Sequence, residues 1–347
     1  MNRDVSKKIA VLVEGMDHVC YRYRLQAFEP YLKSRGWTVE AYPIPRGITS
    51  ALRVLGRVRD ADVVFLQRKA PGRLYLELLR RNAKRLVFDF DDAVFRRDSF
   101  ARKGTGLEKK RFKGIVGASD TVIAGNDFLA QCARYFSEPH HVVMIPTCIE
   151  TRAYERDLVA EGRTSPCDAM VLTWIGSSST LPLLTGRADI LNRIGREFSQ
   201  IRLKVICDAF PSFEHMPVQP VPWSTETEIP ELASSHVGIS WLPEDEWGKG
   251  KCGLKVLQYM AAGLPVVANP FGVHLQMIEH GKSGFLADTP EDWIRAVRTL
   301  HDDPALAKQM GARGKEMVRA RYSVSGWATK LHNVLIDLWN GDAGNCL

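Results

Sequence analysis

The chain is organised around residues 249–270, KGKCGLKVLQYMAAGLPVVANP. A short basic loop with two glycines comes first. Leu254, Leu257, Met260 and Ala261 then recur at the i, i+3, i+6, i+7 spacing of a helix with one buried face. Gly263 stands just past the last periodic residue, where a helix stops. Residues 265–268, Pro-Val-Val-Ala, read as a short buried strand. A glycine loop feeding a helix N-terminus offers free backbone N–H groups and the positive end of the helix dipole. Lys249, Lys251 and Lys255 add full positive charge at that same end, against the usual bias. A bound anion resolves the conflict. The plainer reading is a solvated basic turn ahead of a core helix.

The stretch resembles the signature of retaining glycosyltransferases of the GT-B fold, family 4. That signature is a Glu, a glycine-rich turn, a second Glu eight positions on, then Met-Ala-x-Gly-x-Pro-Val-Val. Residues 260–267, Met-Ala-Ala-Gly-Leu-Pro-Val-Val, match its ending. The first Glu position is Gly250 and the second is Gln258. In the family the second Glu holds the donor ribose and the first touches the transferred sugar. Gln258 can still donate and accept hydrogen bonds to a ribose, without charge assistance. Gly250 has no side chain for the other task. The resemblance covers almost the whole chain and is strongest over residues 236–322.

At 347 residues the chain exceeds what one core usually supports, so two domains are expected. A net charge of +7 favours anionic partners: a nucleotide diphosphate, nucleic acid or an anionic membrane surface. The seven cysteines are odd in number and contain no CxxC pair, which suits a reducing compartment and argues against a disulfide framework or a zinc site. The apolar run 9–13 is too short for a signal sequence, and no run approaches the ~20 apolar residues that span a bilayer. A cytoplasmic location follows, with any membrane contact peripheral.

Along the chain, residues 8–14 read as a buried strand, Gly15 opens a loop, and 23–34 read as one helix. Strand, glycine loop and helix suggest a doubly wound domain. The loop lacks the GxGxxG of a nicotinamide site. Relatives carry a glycine loop here, and many show an Arg-Tyr-Arg segment like Arg22-Tyr23-Arg24. Arg22 or Arg24 is therefore expected to face the cleft, at a phosphate or the acceptor; on the plainer reading both lie on the solvent face. Strands follow at 37–42, 61–67 and 85–92, with a helix at 74–85. Asp89, Asp91 and Asp92 close the last of these, where open α/β sheets bind ligands. Asp-x-Asp also suits Mg²⁺ or Mn²⁺, a rival use of these carboxylates. Asp89 is read as structural; Asp91 and Asp92 occupy the place where relatives line the sugar site. Residues 96–113, rich in Lys and Arg, read as a mobile basic loop able to meet an anionic surface. Nucleic acid is disfavoured, since no aromatics are interleaved.

A polar stretch at 155–168 is the expected linker. The pattern then restarts: strand 170–175, loop Gly176-Ser-Ser-Ser-Thr180, and a helix from Leu181. The serines read as helix caps and a second anion nest. This loop has no basic residue, so Lys251 and Lys255 are expected to supply its charge. Trp223 is read as core, with stacking on a base as the alternative. The expected domains are 1–160 and 166–322, with a final helix near 324–347 packing back on the first.

The resemblance implies an α/β chain of the GT-B fold, two doubly wound Rossmann-like domains facing a cleft. A nucleoside-diphosphate sugar is held mainly by Gly176, Ser177, Ser178, Lys251, Cys252, Gly253, Leu254 and Gln258. Asp91 and Lys255 are the expected catalytic residues. Gly15, Arg22, Arg24 and Asp92 face the acceptor, a glycan, lipid-linked or small molecule. Hexosyl transfer retains anomeric configuration, with no metal and no cofactor beyond the co-substrate. Two rivals remain: a non-catalytic nucleotide-sugar binder, suggested by the two missing glutamates, and a dinucleotide-dependent oxidoreductase or epimerase, weakened by the absent GxGxxG.

Overall fold

The computed structural model describes residues 7–96, 106–138, 141–160 and 169–341, with the side chains of 156–160 excepted. The chain divides into two compact units. The first comprises Met1–Cys148, Asp245–Cys252 and Val324–Leu347; the second comprises Ile149–Glu244 and Gly253–Ser323.

In the first unit the elements run β1 (Lys7–Val13), α1 (Val19–Arg24), a 3₁₀ turn (Gln26–Phe28), α2 (Glu29–Ser34), β2 (Trp37–Pro43), α3 (Ile48–Asp60), β3 (Val63–Gln67), α4 (Arg73–Asn82), β4 (Leu86–Phe90), α5 (Leu107–Ala118), β5 (Thr121–Ala124), α6 (Asp127–Arg134) and β6 (Val142–Met144). The strands form one parallel sheet, ordered β2-β1-β3-β4-β5-β6. Parallel strands covered on both faces need not alternate apolar with polar, and every residue of β3 and β4 is buried.

The second unit runs α7 (Thr151–Ala160), β7 (Met170–Ile175), α8 (Leu181–Thr185), α9 (Ala188–Glu197), β8 (Ile201–Cys207), β9 (Val218–Pro222), α10 (Thr225–Ala233) and β10 (Val237–Ser240). After α11 (Glu246–Lys249), which belongs to the first unit, come α12 (Leu254–Ala261), β11 (Val266–Ala268), α13 (His274–Met277), β12 (Gly284–Leu286), α14 (Pro290–Asp302) and α15 (Pro304–Arg321). Its sheet is also parallel, ordered β12-β11-β10-β7-β8-β9. The last helix, α16 (Val324–Asn340), lies in the first unit, where Ala328, Leu331 and Leu335 share a core with Val11, Phe28 and Phe65.

Right-handed crossovers dictate which helix covers which face. The path β1 to β2 runs opposite to β2→β3, β3→β4 and β4→β5. Helices α1 and α2 therefore cover one face, with α16, while α3, α4 and α5 cover the other. Tyr21 and Leu32 accordingly join the core with the odd-numbered Ile9, Val11 and Phe65. Phe88, on the opposite face of β4, meets Phe112 of α5.

Several sequence expectations change. The single helix expected over 23–34 is broken into α1, a 3₁₀ turn and α2, because Pro30 cannot donate to a carbonyl one turn back. Helix α3 was not expected, although Ala51, Val54, Leu55 and Val58 have helical spacing. The basic run is partly helical: residues 97–105 lie outside the described residues, and α5 takes up the rest from Leu107. The expected linker begins inside α7, and residues 161–168 lie outside the described residues, as do 342–347 of the expected last helix. The strand expected over 85–92 ends at Phe90, leaving Asp91 and Asp92 in the following turn. Residues 245–252, expected in the second domain, pack with the first unit.

Candidate functional site

In the second unit the site grows from α12. Its N-cap, Gly253, has φ 68°, in the left-handed region. A Cβ there would also lie 2.6 Å from Met277 Sδ, so the turn needs glycine twice over. Leu257 N–H donates to the Gly253 carbonyl, the first bond of the helix, so Gly253 and Leu254 stand at its open N-terminal end. Tyr259 pins the helix to the sheet: its hydroxyl accepts from Ile175 N–H (3.0 Å) and donates to the Ile239 carbonyl (3.2 Å). Lys255, in the first turn, places Nζ 3.2 Å from Thr180 Oγ1 and 4.0 Å over the Trp174 ring. A Cβ at Gly176 would come within 2.9 Å of that Nζ. Lys255 thus brings its charge to loop 176–180. Gln258, three residues on and on the same helix face, is buried.

The serine loop differs from expectation. Ser178 N–H and Oγ both donate to the Asp208 carboxylate, at 2.6 and 2.7 Å, which holds its pKa below the usual range. These two donors already hold an anion from the chain itself. The N-cap of α8 is Thr180, and its side chain makes no capping bond. Ser177 Oγ lies 2.8 Å from Ser179 Oγ. Trp223, read as core, is 36% exposed and donates to Glu228 through Nε1.

His274 stands behind α12, fully buried, with Nδ1 2.9 Å from the Asn269 carbonyl and Nε2 3.2 Å from Ser240 Oγ. A carbonyl only accepts, so Nδ1 carries the proton and Nε2 accepts from Ser240. Burial, with the nearby Lys255 charge, pulls its pKa to about 4. Between pH 7 and 5 the unfolded chain gains a proton that the folded chain refuses. Stability should therefore fall over that window, by ~2 kcal/mol from this residue, as 1.5 pH units below the ordinary 6.5 at ~1.36 kcal/mol per unit. Urea unfolding at both pH values checks this. His274→Gln should show a shallower loss, and an equal slope in both proteins would contradict it.

In the first unit a charged network sits past the C-terminal ends of β3 and β4, where ligands bind in open α/β sheets. Arg68 follows β3 and carries φ 58°, the one positive φ among the described non-glycine residues. Strain of this kind clusters at functional sites. Its guanidinium donates to Asp92 Oδ2 (2.7 Å) and to Cys20 Sγ (3.2 Å). Cys20 Sγ in turn donates to Asp91 Oδ1 at 3.2 Å. Lys251 Nζ lies 2.9 Å from Asp92 and 3.5 Å over the Trp247 ring. The Asn126 amide donates to the carbonyls of Lys249 (3.1 Å) and Lys251 (3.0 Å), holding the basic loop in this unit. Among the described residues no three His, Cys, Asp or Glu side chains converge as a metal cluster would.

Three expectations are corrected here. Lys251, expected at loop 176–180, neutralises Asp92 within the first unit. Cys252 is buried, its thiol pushed up by burial, and packs so tightly on Gly125 that a Cβ there would lie 2.5 Å from its sulfur. Arg24 faces neither a cleft nor solvent. It is buried against Asp89, with Nε 3.2 Å from Oδ1 and Nη1 2.6 Å from the Ile145 carbonyl. Burial works against its charge and Asp89 more than offsets this. Asp89 is the structural residue that the sequence suggests. Arg22 is half-buried beside the Tyr23 ring.

Gly250 resolves one question left by the sequence. A Cβ there would lie 2.7 Å from the Ala93 Cβ and 2.9 Å from its backbone nitrogen. The position where relatives carry Glu is packed shut. Arg68 is the residue that sequence reading passed over. Its signal was a cation immediately after a buried strand. Near Gly15, a cavity of about 490 Å³ is lined by Glu14, Tyr42, Arg46, Ser50, Arg53 and Arg57.

Comparison with known proteins bears on both units. Residues 224–317 match the family model "Glycosyl transferases group 1". The chain is 33% identical over 84 residues to an alpha-1,3/1,6-mannosyltransferase of Dictyostelium discoideum, covering 24% of this chain and 20% of that protein. It is 40% identical over 78 residues to D-inositol 3-phosphate glycosyltransferase of Pseudarthrobacter chlorophenolicus, covering 22% of this chain and 18% of that one. The matched stretch thus spans about a fifth of these relatives. The structure of Anabaena HepE in complex with UDP and glucose superposes with a TM-score of 0.71 at 13% identity, over 95% of this chain and all of that one. The chain has the GT-B fold, two Rossmann-like units, and carries a glycosyl transferases group 1 segment that lies mostly in the second.

Proposed function

We propose that the chain is a retaining, metal-independent glycosyltransferase that moves a hexosyl group from a nucleoside-diphosphate sugar to an acceptor. One observation carries the reading: Lys255 lies in the first turn of α12, inside the matched segment, with its ammonium at loop 176–180. The solved neighbour with UDP and glucose makes a uridine nucleotide the first donor to try. Lys255 and the N–H groups at Gly253 and Leu254 hold the diphosphate and stabilise its growing charge. Gln258 holds the ribose. Gly176 and Ser177 border the phosphates. On the first unit, Asp91 and Asp92, the latter paired with Arg68 and Lys251, are the carboxylates assigned to sugar hydroxyls. The acceptor lies on the first unit by Gly15 and Arg22, where Arg46, Arg53 and Arg57 suit an anionic group.

The second reading, a nucleotide-sugar binder without transferase activity, is favoured by the closed position at Gly250. A panel of UDP-, GDP- and ADP-sugars separates the two. The correct donor at 100 Kd should stabilise the protein by ~2.7 kcal/mol in thermal shift. Its hydrolysis or transfer selects the enzyme, and stabilisation without turnover selects the binder. Gln258→Ala should raise donor KM about fivefold, the loss of a hydrogen bond worth ~1 kcal/mol. Gln258→Glu should bind the donor at least as well. An unfolded Gln258→Glu would assign the residue to the core instead.

A further inference from the structure

The face made by α3 and α4 carries an apolar patch that the donor site does not use. Ile48, Leu52 and Leu74 are 82%, 66% and 73% exposed, and Leu78 is exposed beside them. Arg59 of α3 donates to the Asn82 side chain of α4, which registers the two helices. Ile48, Leu52 and Arg59 (i, i+4, i+11) fall on one side of α3, the side turned to α4. Leu74, Leu78 and Asn82 (i, i+4, i+8) fall on one side of α4, the side turned to α3. At ~1.5 Å per residue, Leu52 and Leu74 both stand about 10–12 Å along the groove from that hydrogen bond. The four apolar side chains therefore border one groove, toward the N-terminal ends of both helices.

The surroundings are basic. The two helices carry six arginines against Asp60 and Glu77. Outside the cavity, Arg59, Arg73 and Arg81 are exposed. Next to α4, α5 adds exposed Lys109, Lys110, Arg111 and Lys113 against Glu108. Among the described residues no helix is long and apolar enough to cross a membrane. A second copy of this face would bring like charges together, whereas an anionic lipid surface complements both the charge and the apolar groove.

We propose that the α3–α4 groove, with the basic residues of α5 beside it, is a docking surface for an anionic bilayer. Ile48, Leu52, Leu74 and Leu78 enter the acyl boundary while Arg59, Arg73, Arg81 and the cations of α5 meet the headgroups. The surface rests on the reading of a glycosyltransferase but shares no residue with the proposed donor site, and Arg53 and Arg57, which line the cavity proposed for the acceptor, are not part of it, so sugar transfer to a soluble acceptor should not depend on the residues varied below.

Flotation with vesicles tests it. The full chain should bind phosphatidylglycerol-containing vesicles, more weakly as salt rises, and should not bind pure phosphatidylcholine. Leu52→Glu with Leu74→Glu should weaken binding at least tenfold without lowering the melting temperature, because both side chains are exposed. Arg59→Gln with Arg81→Gln and Lys110→Gln should weaken it too and flatten its salt dependence, and this variant serves if the first fails to fold. Unchanged binding in both variants, or equal binding to neutral vesicles, overturns the proposal. So does a dimer that Leu52→Glu with Leu74→Glu dissolves while no vesicle is bound.

Discussion

Lys255→Met should lower kcat by ~10²–10³-fold, the scale of losing one preorganised electrostatic stabiliser, with a smaller rise in donor KM. The ammonium sits at the start of α12, where it opposes the helix dipole until an anion is present. The charge on a leaving diphosphate grows toward the transition state, so this contact strengthens as the reaction proceeds and acts mainly on kcat. Methionine keeps a stem of similar length over Trp174 and removes only the charge. Without ligand, two effects oppose each other. The unfavourable contact with the dipole is relieved, and a cation–π contact worth ~1 kcal/mol with its bond to Thr180 is lost. Apo stability should therefore change by less than about 1 kcal/mol. Steady-state kinetics with the donor found by the sugar panel decides the matter. A kcat within threefold of the parent, or a collapse of apo stability, would remove Lys255 from the diphosphate site.

The contrast between Lys255 and Lys251 shows how far the sequence could be read. Both lie in the same basic stretch, and sequence alone gives both the same task. The difference arises because the chain passes between compact units at residues 252–253, so Lys251 finds Asp92 and Lys255 finds Thr180. Periodicity and glycine placement reported α12 and β11 well, since these are local matters. What periodicity could not report was the partner of each charge. Arg24 looked available because an arginine on an amphipathic helix usually reaches solvent; only the tertiary placement of α1 against β4 brings it to Asp89. Ser178 looked like a free donor because Asp208 lies 30 residues away in sequence. Gly250 shows the converse. The sequence marked it as a departure from the resemblance, and the packing of Ala93 supplies the physical reason. The missed helix α3 had a readable apolar spacing, hidden by its arginines and glycine.

Removing one partner of the Arg24–Asp89 pair should be among the costliest single changes in the first unit. Both side chains are almost wholly enclosed, and Gln67 Nε2 donates a further hydrogen bond to Asp89 Oδ2 at 3.3 Å. Arg24→Met leaves the carboxylate buried without its cation, which should cost ~3–5 kcal/mol. The double variant Arg24→Met with Asp89→Leu removes both charges and should regain much of that loss, because an apolar replacement avoids the desolvation of either ion. A pH signature separates lost charge from lost packing. Burial already pushes the Asp89 pKa up against the pull of Arg24, and without Arg24 it rises further. A carboxyl with a raised folded pKa is stable when protonated and loses that stability as pH rises through the folded pKa. The gap between Arg24→Met and the parent should therefore narrow as pH is lowered from 7 toward 5. For the double variant, which has no carboxyl there, that narrowing should be absent. Denaturant unfolding at the two pH values measures all of this. A cost below about 1 kcal/mol for Arg24→Met, or a gap that stays constant with pH, would mean that the stability of this region rests on packing around α1 and not on the buried pair.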